Sequence, residues 1–476
     1  MLLLEEPQRR ALWERVTAAI EAHVEGVRGL PVAPRLDPTA LRALVADVDF
    51  ERPLPPERVV DLVVDGLRRH QVHTTHPGYY GLFNPCPSTM SVAGDALVAA
   101  FNPQIAAWSH SPFAAEAESH LLRAFGRRFG YDGGQCDGVF CSGGAEANHT
   151  AVLCALGTAF PAALEDGLRG LDRAPRAYVS AEAHHSFLKA ARVSGLGMGA
   201  VRAVPVNARL QMDVDALASM MAEDRRQGHA PFLLVATAGT TSAGAIDPVA
   251  DLAGVAAREG LWLHVDAAWG GAVVAAPELA PLLRGVERAD SITVDAHKWL
   301  SVPMGAGMFL TRHPQVLERT FRVAAGYMPR DAEGLPIVDP YAHSLQWSRR
   351  AIGMKLFVSL AAAGWDGYAQ AVRGMTALGR SLREKLQAAG WRAVNDTPLP
   401  LVCFVDARHP RGDTAPHLQK VAEAVLASGR AWINAVALSG GQAALRACIT
   451  NHRTTEADLD VLVETLARAR AGVAAA

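Results

Sequence analysis

Between residues 86 and 365, short apolar runs recur: GVFC (138–141), AYVS (177–180), PFLLVAT (231–237), LWLHVD (261–266), SITVD (291–295) and GMFLT (307–311). No other feature narrows the fold as far. The runs are apolar throughout instead of alternating, so both faces of each strand must be covered. Helical stretches mostly separate them, at 144–159, 213–227 and 248–259. Strands spaced by helices predict an α/β fold with a mostly parallel central sheet. In such sheets ligands bind beyond the carboxyl ends of the strands. Polar residues at those ends are therefore the first candidates for chemistry.

The flanking regions read differently. Residues 1–85 hold an amphipathic helix at 6–30, with Leu12, Trp13, Val16, Ile20 and Val24 at helical spacing, and a second helix near 57–70. Proline-rich pieces lie between them. This segment is too thin to own a core, so its apolar faces are expected to pack elsewhere, on a partner subunit. Residues 366–476 predict helices at 369–389, 415–428 and 455–472 and strands at 401–406 and 444–450. That pattern describes a smaller C-terminal α+β domain. Residues 86–365 form the large domain between the two.

Composition excludes several classes. The 476 residues exceed one ordinary core. Lys+Arg 46 against Asp+Glu 48 gives a net charge of −2, which argues against nucleic-acid and membrane partners. The 6 cysteines are scattered without a CxxC pair, the usage expected of a reducing cytoplasmic setting. MLLLEEPQRRALWERV has no signal-peptide pattern, and no run reaches the roughly 20 apolar residues of a membrane helix.

Four strand ends carry polar residues. After GVFC, the turn Ser142-Gly143-Gly144 leads into a helix starting near Ala145, and glycines before a helix N-terminus suit a phosphate. After AYVS come His184 and His185. LWLHVD ends in Asp266, a carboxylate that needs a cation or several donors. SITVDAHKW brings Asp295, His297 and Lys298 to the end of an apolar strand. A lysine in a dry site becomes a usable nucleophile toward an aldehyde. One ligand answers all four ends: pyridoxal 5′-phosphate (PLP). Its aldehyde takes a lysine, its pyridine nitrogen an acid, its phosphate the glycine turn and its ring a stacking face.

With SGGAEAN, HVDAAWGG, DAHKW and WSRR in this order, the chain resembles the PLP-dependent decarboxylases of the aromatic-amino-acid and glutamate decarboxylase family. The similarity runs from HPGYYGLFNP (76–85) to LRACITNHRT (445–454). It implies the fold-type I, aspartate aminotransferase-like scaffold and a homodimer with shared active sites. It also implies roles. Lys298 is the Schiff-base lysine, with His297 beside it. Asp266 pairs with the pyridine nitrogen, Ala268 packs on the ring, and His184 stacks on the other face. Gly144 and Ala145 contact the phosphate, and Thr241 lies near the ring hydroxyl. Tyr327, in the Gly/Pro-rich stretch 321–339, protonates the carbanion after CO2 leaves.

The expected substrate pocket comprises Tyr79, Leu82, Phe83, Asn84, Gln104 and Arg446. Gln104 and Ala106 stand where aromatic-specific members carry bulkier residues. An aromatic substrate is open, as is an aliphatic or diamino acid such as 2,4-diaminobutyrate, or glutamate. Oxidative deamination to an aldehyde is a further alternative, although both His184 and Tyr327 favour simple decarboxylation.

Overall fold

A computed structural model of the chain describes residues 2–83, 86–132, 134–323, 337–409 and 414–475. A short strand β1 (Gln104–Ile105) precedes the large domain's strands: β2 (Asp137–Cys141), β3 (Pro175–Ser180), β4 (Val201–Val204), β5 (Ala230–Thr237), β6 (Trp262–Asp266), β7 (Ser291–Asp295) and β8 (Gly307–Thr311). Strands β2 to β8 form one seven-stranded sheet in the order β2-β8-β7-β6-β5-β3-β4. The pairings among β4, β3, β5, β6 and β7 are parallel. β8 runs antiparallel to both β7 and β2, so β2 points the same way as the parallel strands. Every residue of β6, β7 and β8 is buried. That burial explains why these runs are apolar almost throughout.

This topology collects the candidates at one edge. Cys141, Ser180, Thr237, Asp266 and Asp295 each end a strand that points the same way. The reversed strand contributes its beginning instead. Gly307 pairs with Cys141 on one side and Asp295 on the other. It has to be glycine: a Cβ there would lie 2.6 Å from the carbonyl carbon of Gly143 and 2.9 Å from Asp295 Oδ1.

Beyond the sheet, β9 (Arg349–Arg350) pairs with β1. Strands β10 (Trp391–Ala393), β11 (Leu401–Asp406), β12 (Asn434–Leu438) and β13 (Gln442–Cys448) form an antiparallel C-terminal sheet in the order β10-β11-β13-β12. The helix Met354–Ala388 runs from the large domain into the small one, interrupted at Gly364 with φ 64°. It begins earlier than the 369 expected from sequence, because the break at Gly364 interrupts the helical pattern just before that point. At the other terminus, the helices Glu6–Gly26, Pro38–Ala46 and Pro56–Arg69 bury none of their residues. Trp13 is 58 % exposed and Val63 52 %. Among the described residues, no helix is long and apolar enough to cross a membrane.

Candidate active site

The strand ends surround a cavity of about 380 Å³. Ser142, Gly143, Gly144 and Ala145 line one end, and Asp266, Ala268, His184, Thr241, His297 and Lys298 line the rest. The four polar strand ends identified in the sequence therefore meet in one place.

Lys298 follows β7 by one turn. Its Nζ lies 3.1 Å from Asp295 Oδ2 and 5.5 Å from the centre of the Phe83 ring. Its side chain keeps 21 % of its surface exposed, so the amine is enclosed yet reachable. His297 sits beside it, Nε2 3.9 Å from the same carboxylate oxygen. The backbone N–H of Ala306 donates to His297 Nδ1 at 3.1 Å. Burial holds the His297 pKa below the ordinary histidine value, and Asp295 only partly offsets it.

Asp266 closes β6 and is buried. Oδ1 accepts from the backbone N–H of Ala268 at 3.1 Å, and Oδ2 accepts from Asn148 Nδ2 at 2.9 Å. Behind Asn148 runs a directed chain of hydrogen bonds. Asn148 Nδ2 also donates to Ser186 Oγ, so its Oδ1 is left to accept from His264 Nε2 at 3.1 Å. His264 Nδ1 then accepts from Ser291 Oγ at 2.8 Å, and Ser291 Oγ accepts from Trp262 Nε1 at 2.8 Å. This polarity requires a neutral His264. Complete burial agrees, pushing its pKa down to about 4. The carboxylate at the strand end is thus fixed by donors from both its own turn and the helix Gly144–Ala159.

That helix opens at the glycine turn with no side-chain cap. Its first amides have no intrahelical acceptor, and its positive dipole end faces the cavity. Gly144 is a cradle: a Cβ there would meet Asp295 Oδ2 at 2.7 Å. Glu146, in the first turn, is held by Ser142 N and Oγ and by Gln346 Nε2.

His184 stands at the opposite side, its outer face open and its Nδ1 accepting from Ser186 N at 3.2 Å. Partial enclosure lowers its pKa below the ordinary value, against the pull of Asp266. A neutral ring there can stack and can carry a proton in either direction. His185 lies outside this cavity and lines a neighbouring one with Glu182.

The pocket residues divide. Phe83 lines the cavity, 4.7 Å from the Trp269 ring. Arg446 lies behind it, its guanidinium 4.8 Å from the Phe83 ring and bonded to the carbonyls of Gly81 and Thr241. Tyr79 packs on Trp432, and its hydroxyl accepts from Leu82 N. Leu82 is 52 % exposed. Gln104 is exposed on β1 and reaches Ser348. Tyr79, Leu82, Gln104 and Arg446 are thus outside this cavity wall. Asn84 and Tyr327 lie outside the described residues.

The sequence reading gave no role to Asn148, His264 or Asp295. Two signals were available. His264 and Asp266 share a face of β6 by the two-residue period, and Asn148 is one helical turn beyond Gly144.

These residues match a phosphorylated pyridine aldehyde point for point: an amine, a fixed carboxylate and an uncapped helix start round one cavity. The comparisons agree. Residues 41–406 match the model of the pyridoxal-dependent decarboxylase conserved domain. The chain belongs to the pyridoxal-dependent decarboxylase family. An aromatic-L-amino-acid decarboxylase of Bacillus atrophaeus is 27 % identical over 96 % of this chain and 94 % of that protein. A cysteine sulfinic acid decarboxylase of Homo sapiens is 30 % identical over 84 % and 83 %. The crystal structure of mouse CSAD superimposes with a TM-score of 0.90 at 26 % identity, covering 98 % of this chain and 99 % of that one. The protein is a fold-type I decarboxylase with PLP as its cofactor, an amino acid carboxy-lyase. Of the residues lining the cavity, Gly144 and Ala145 could hold a phosphate, Lys298 an aldehyde and Asp266 a ring nitrogen.

Proposed function

We propose that the protein decarboxylates an L-amino acid to its amine, with Lys298 as the residue that bonds the cofactor. The observation that carries this reading is the position of Lys298, an enclosed amine between Asp295 and Phe83, on the cavity that also holds Asp266. Bound there, PLP supplies an electron-withdrawing ring that makes loss of the substrate carboxylate feasible. The chain's own residues do the rest. Asp266 keeps a proton at the ring nitrogen, anchored by Asn148 and the Ala268 amide. His184 covers the ring and orients the departing carboxylate. Tyr327, assigned on its motif, returns a proton to Cα. Lys298 would hold the cofactor's aldehyde between turnovers.

For the substrate, the wall beside the amine favours an aromatic amino acid, since Phe83, Trp269 and Met304 line it. A second reading is a diamino acid, favoured by Glu146, a further carboxylate lining the same cavity. The exposed apolar residues of the N-terminal helices, Trp13, Ile20, Val59, Val63 and Leu67, support a homodimer in which they are covered.

The test is borohydride reduction of the loaded protein followed by peptide mapping, with CO2, amine and H2O2 measured across aromatic, acidic, aliphatic and diamino acids. Lys298→Ala should lose both the reduced adduct and about three orders of magnitude or more in turnover. An adduct on another lysine, or normal turnover by the variant, overturns the assignment. H2O2 in step with CO2 would instead identify an oxidative enzyme.

A further inference from the structure

Of the four motifs that carry the family resemblance, WSRR alone contributes no residue to the cavity wall. Its residues are fixed elsewhere. Arg349 and Arg350 form β9, paired with β1. Arg349 is buried against Glu118 of the helix Pro112–Arg128, with Nη2 2.7 Å from Oε2 and Nη1 3.2 Å from Oε1. Both side chains are 4 % exposed. The backbone N–H of Gly353 donates to the same Oε1 at 2.8 Å. Opening a buried ion pair strands a charge, so this segment is held in one place.

Gln346 immediately precedes the motif, and its side chain reaches toward the cavity. Nε2 donates to both carboxylate oxygens of Glu146, at 2.7 and 2.8 Å. Glu146 Oε2 also accepts from the backbone N–H of Ser142 at 2.8 Å and from its hydroxyl at 2.7 Å. A glutamate in the first turn that reaches back to the residues ahead of its helix is one half of a capping box. Here it grips Ser142, one residue before the N-cap Gly143, which has no side chain of its own to hold the turn.

The turn needs such a grip. Glycines at 143 and 144 leave its backbone conformationally free. The first helical bonds run from the amides of Glu146 and Ala147 to the Gly143 carbonyl. The amides of Gly144 and Ala145 come before them and are available to an anion at the cavity. Their direction depends on how Ser142-Gly143-Gly144 is set. A glutamate side chain with three rotatable bonds is a loose clasp by itself. Gln346, carried on an anchored segment, makes it a fixed one.

We propose that Gln346 is a positioning residue for the cofactor's phosphate. Anchored through Arg349 and Glu118, it holds Glu146, and Glu146 holds the glycine turn with the Gly144 and Ala145 amides presented to the cavity. The turn is thereby ordered before the cofactor arrives, and binding does not carry that cost. The effect is confined to the phosphate. Lys298 and Asp266, which meet the aldehyde and the ring, stand on other elements.

The experiment is equilibrium titration of the cofactor-free full chain with PLP and, separately, with pyridoxal, followed by the absorbance of the bound aldehyde. Pyridoxal has the same aldehyde and ring without the phosphate. In Gln346→Ala the Kd for PLP should rise about tenfold, while that for pyridoxal stays within about twofold of wild type. Glu146→Asp keeps the charge but is one methylene too short to reach Ser142 and Gln346 together. It should show the same selective loss, and it decides the matter if Gln346→Ala does not fold. Unaltered PLP affinity overturns the proposal. So does an equal loss for both ligands, which would mark Gln346 as a residue of general stability. Wild-type protein that binds pyridoxal as tightly as PLP overturns it too. None of these results touches the assignment of Lys298, which the reduced adduct tests.

Discussion

Asn148 Nδ2 donates to Asp266 Oδ2 at 2.9 Å, and this contact joins a helix to a strand end that the chain reaches only much later. The same amide accepts from His264, so Asn148 cannot rotate without losing a buried hydrogen bond on each side.

Asn148→Ala should therefore cost more than one hydrogen bond. It leaves a buried carboxylate oxygen unpaired and reduces His264 Nε2 to its longer bond with Thr293 Oγ1 at 3.2 Å, about 1–3 kcal/mol of stability. Urea unfolding of the cofactor-free protein measures this. With Asp266 less firmly held, PLP should bind roughly tenfold more weakly, a loss of about 1.4 kcal/mol. Unaltered affinity would mean that Asp266 needs no support from the helix.

Gly307→Ala tests the close approach of the glycine turn to β8. The added methyl meets the backbone of Gly143, which cannot swing away as a side chain could. A loss of about 1–3 kcal/mol is expected, with weakened phosphate binding. Gly66→Ala is the control: nothing lies within 4 Å of that position in the helix Pro56–Arg69, so it should be neutral or stabilising by up to about 1 kcal/mol.

The pH dependence of stability follows from two buried groups of opposite sign. His264 has a native pKa of about 4 against an ordinary 6.5. The unfolded chain binds more protons between those values, so stability falls as pH drops from 6.5 to 4. At about 1.4 kcal/mol per pH unit, the loss is roughly 3 kcal/mol. Asp247, fully buried, is raised from 3.8 to about 7. Its contribution is complete below 3.8 and is lost as pH rises toward 7, offsetting His264 over much of the same range. Unfolding measured from pH 7 to 4.5 should show His264→Gln losing less stability than wild type. Parallel curves would mean that His264 protonates freely in the native state.

Tyr327→Phe should retain the cofactor's absorbance while amine formation drops by about 10²- to 10⁴-fold, the usual range for removing a proton donor. In air, aldehyde should appear among the products together with ammonia and H2O2, O2 being the oxidant. Amine output equal to wild type would take Tyr327 out of the reaction.

Much of this site could be read from the sequence because its residues end apolar runs. Asp266 and Lys298 stand out where a buried strand stops, and the parallel arrangement brings such ends together. Direction was not legible. SITVD and GMFLT look alike, and nothing in a run apolar on both faces says that β8 turns back on β7. β4 escaped notice since VRAV is short and carries Arg202, which pairs with Asp224 at the edge of the sheet. The contact of the Asp295 carboxylate with Gly144 depends on a helix start far earlier in the chain, a relation no local pattern contains. Arg446 was read as close to the active site, but the order of the stack, with Phe83 in front, is a matter of packing.

The reversal of β8 also sets when a site can exist. Asp137 pairs with Thr311, so the earliest strand of the large sheet is completed by the last. On a ribosome, the glycine turn emerges with β2 and waits for Lys298 and then for β8 to dock against it. Until residue 311 has cleared the exit tunnel, the growing chain has helices and several paired strands but no place to hold a cofactor. Such long-range closure is slow to form. Acquisition of PLP should therefore be a late event in the birth of this enzyme, following assembly of the sheet instead of guiding it.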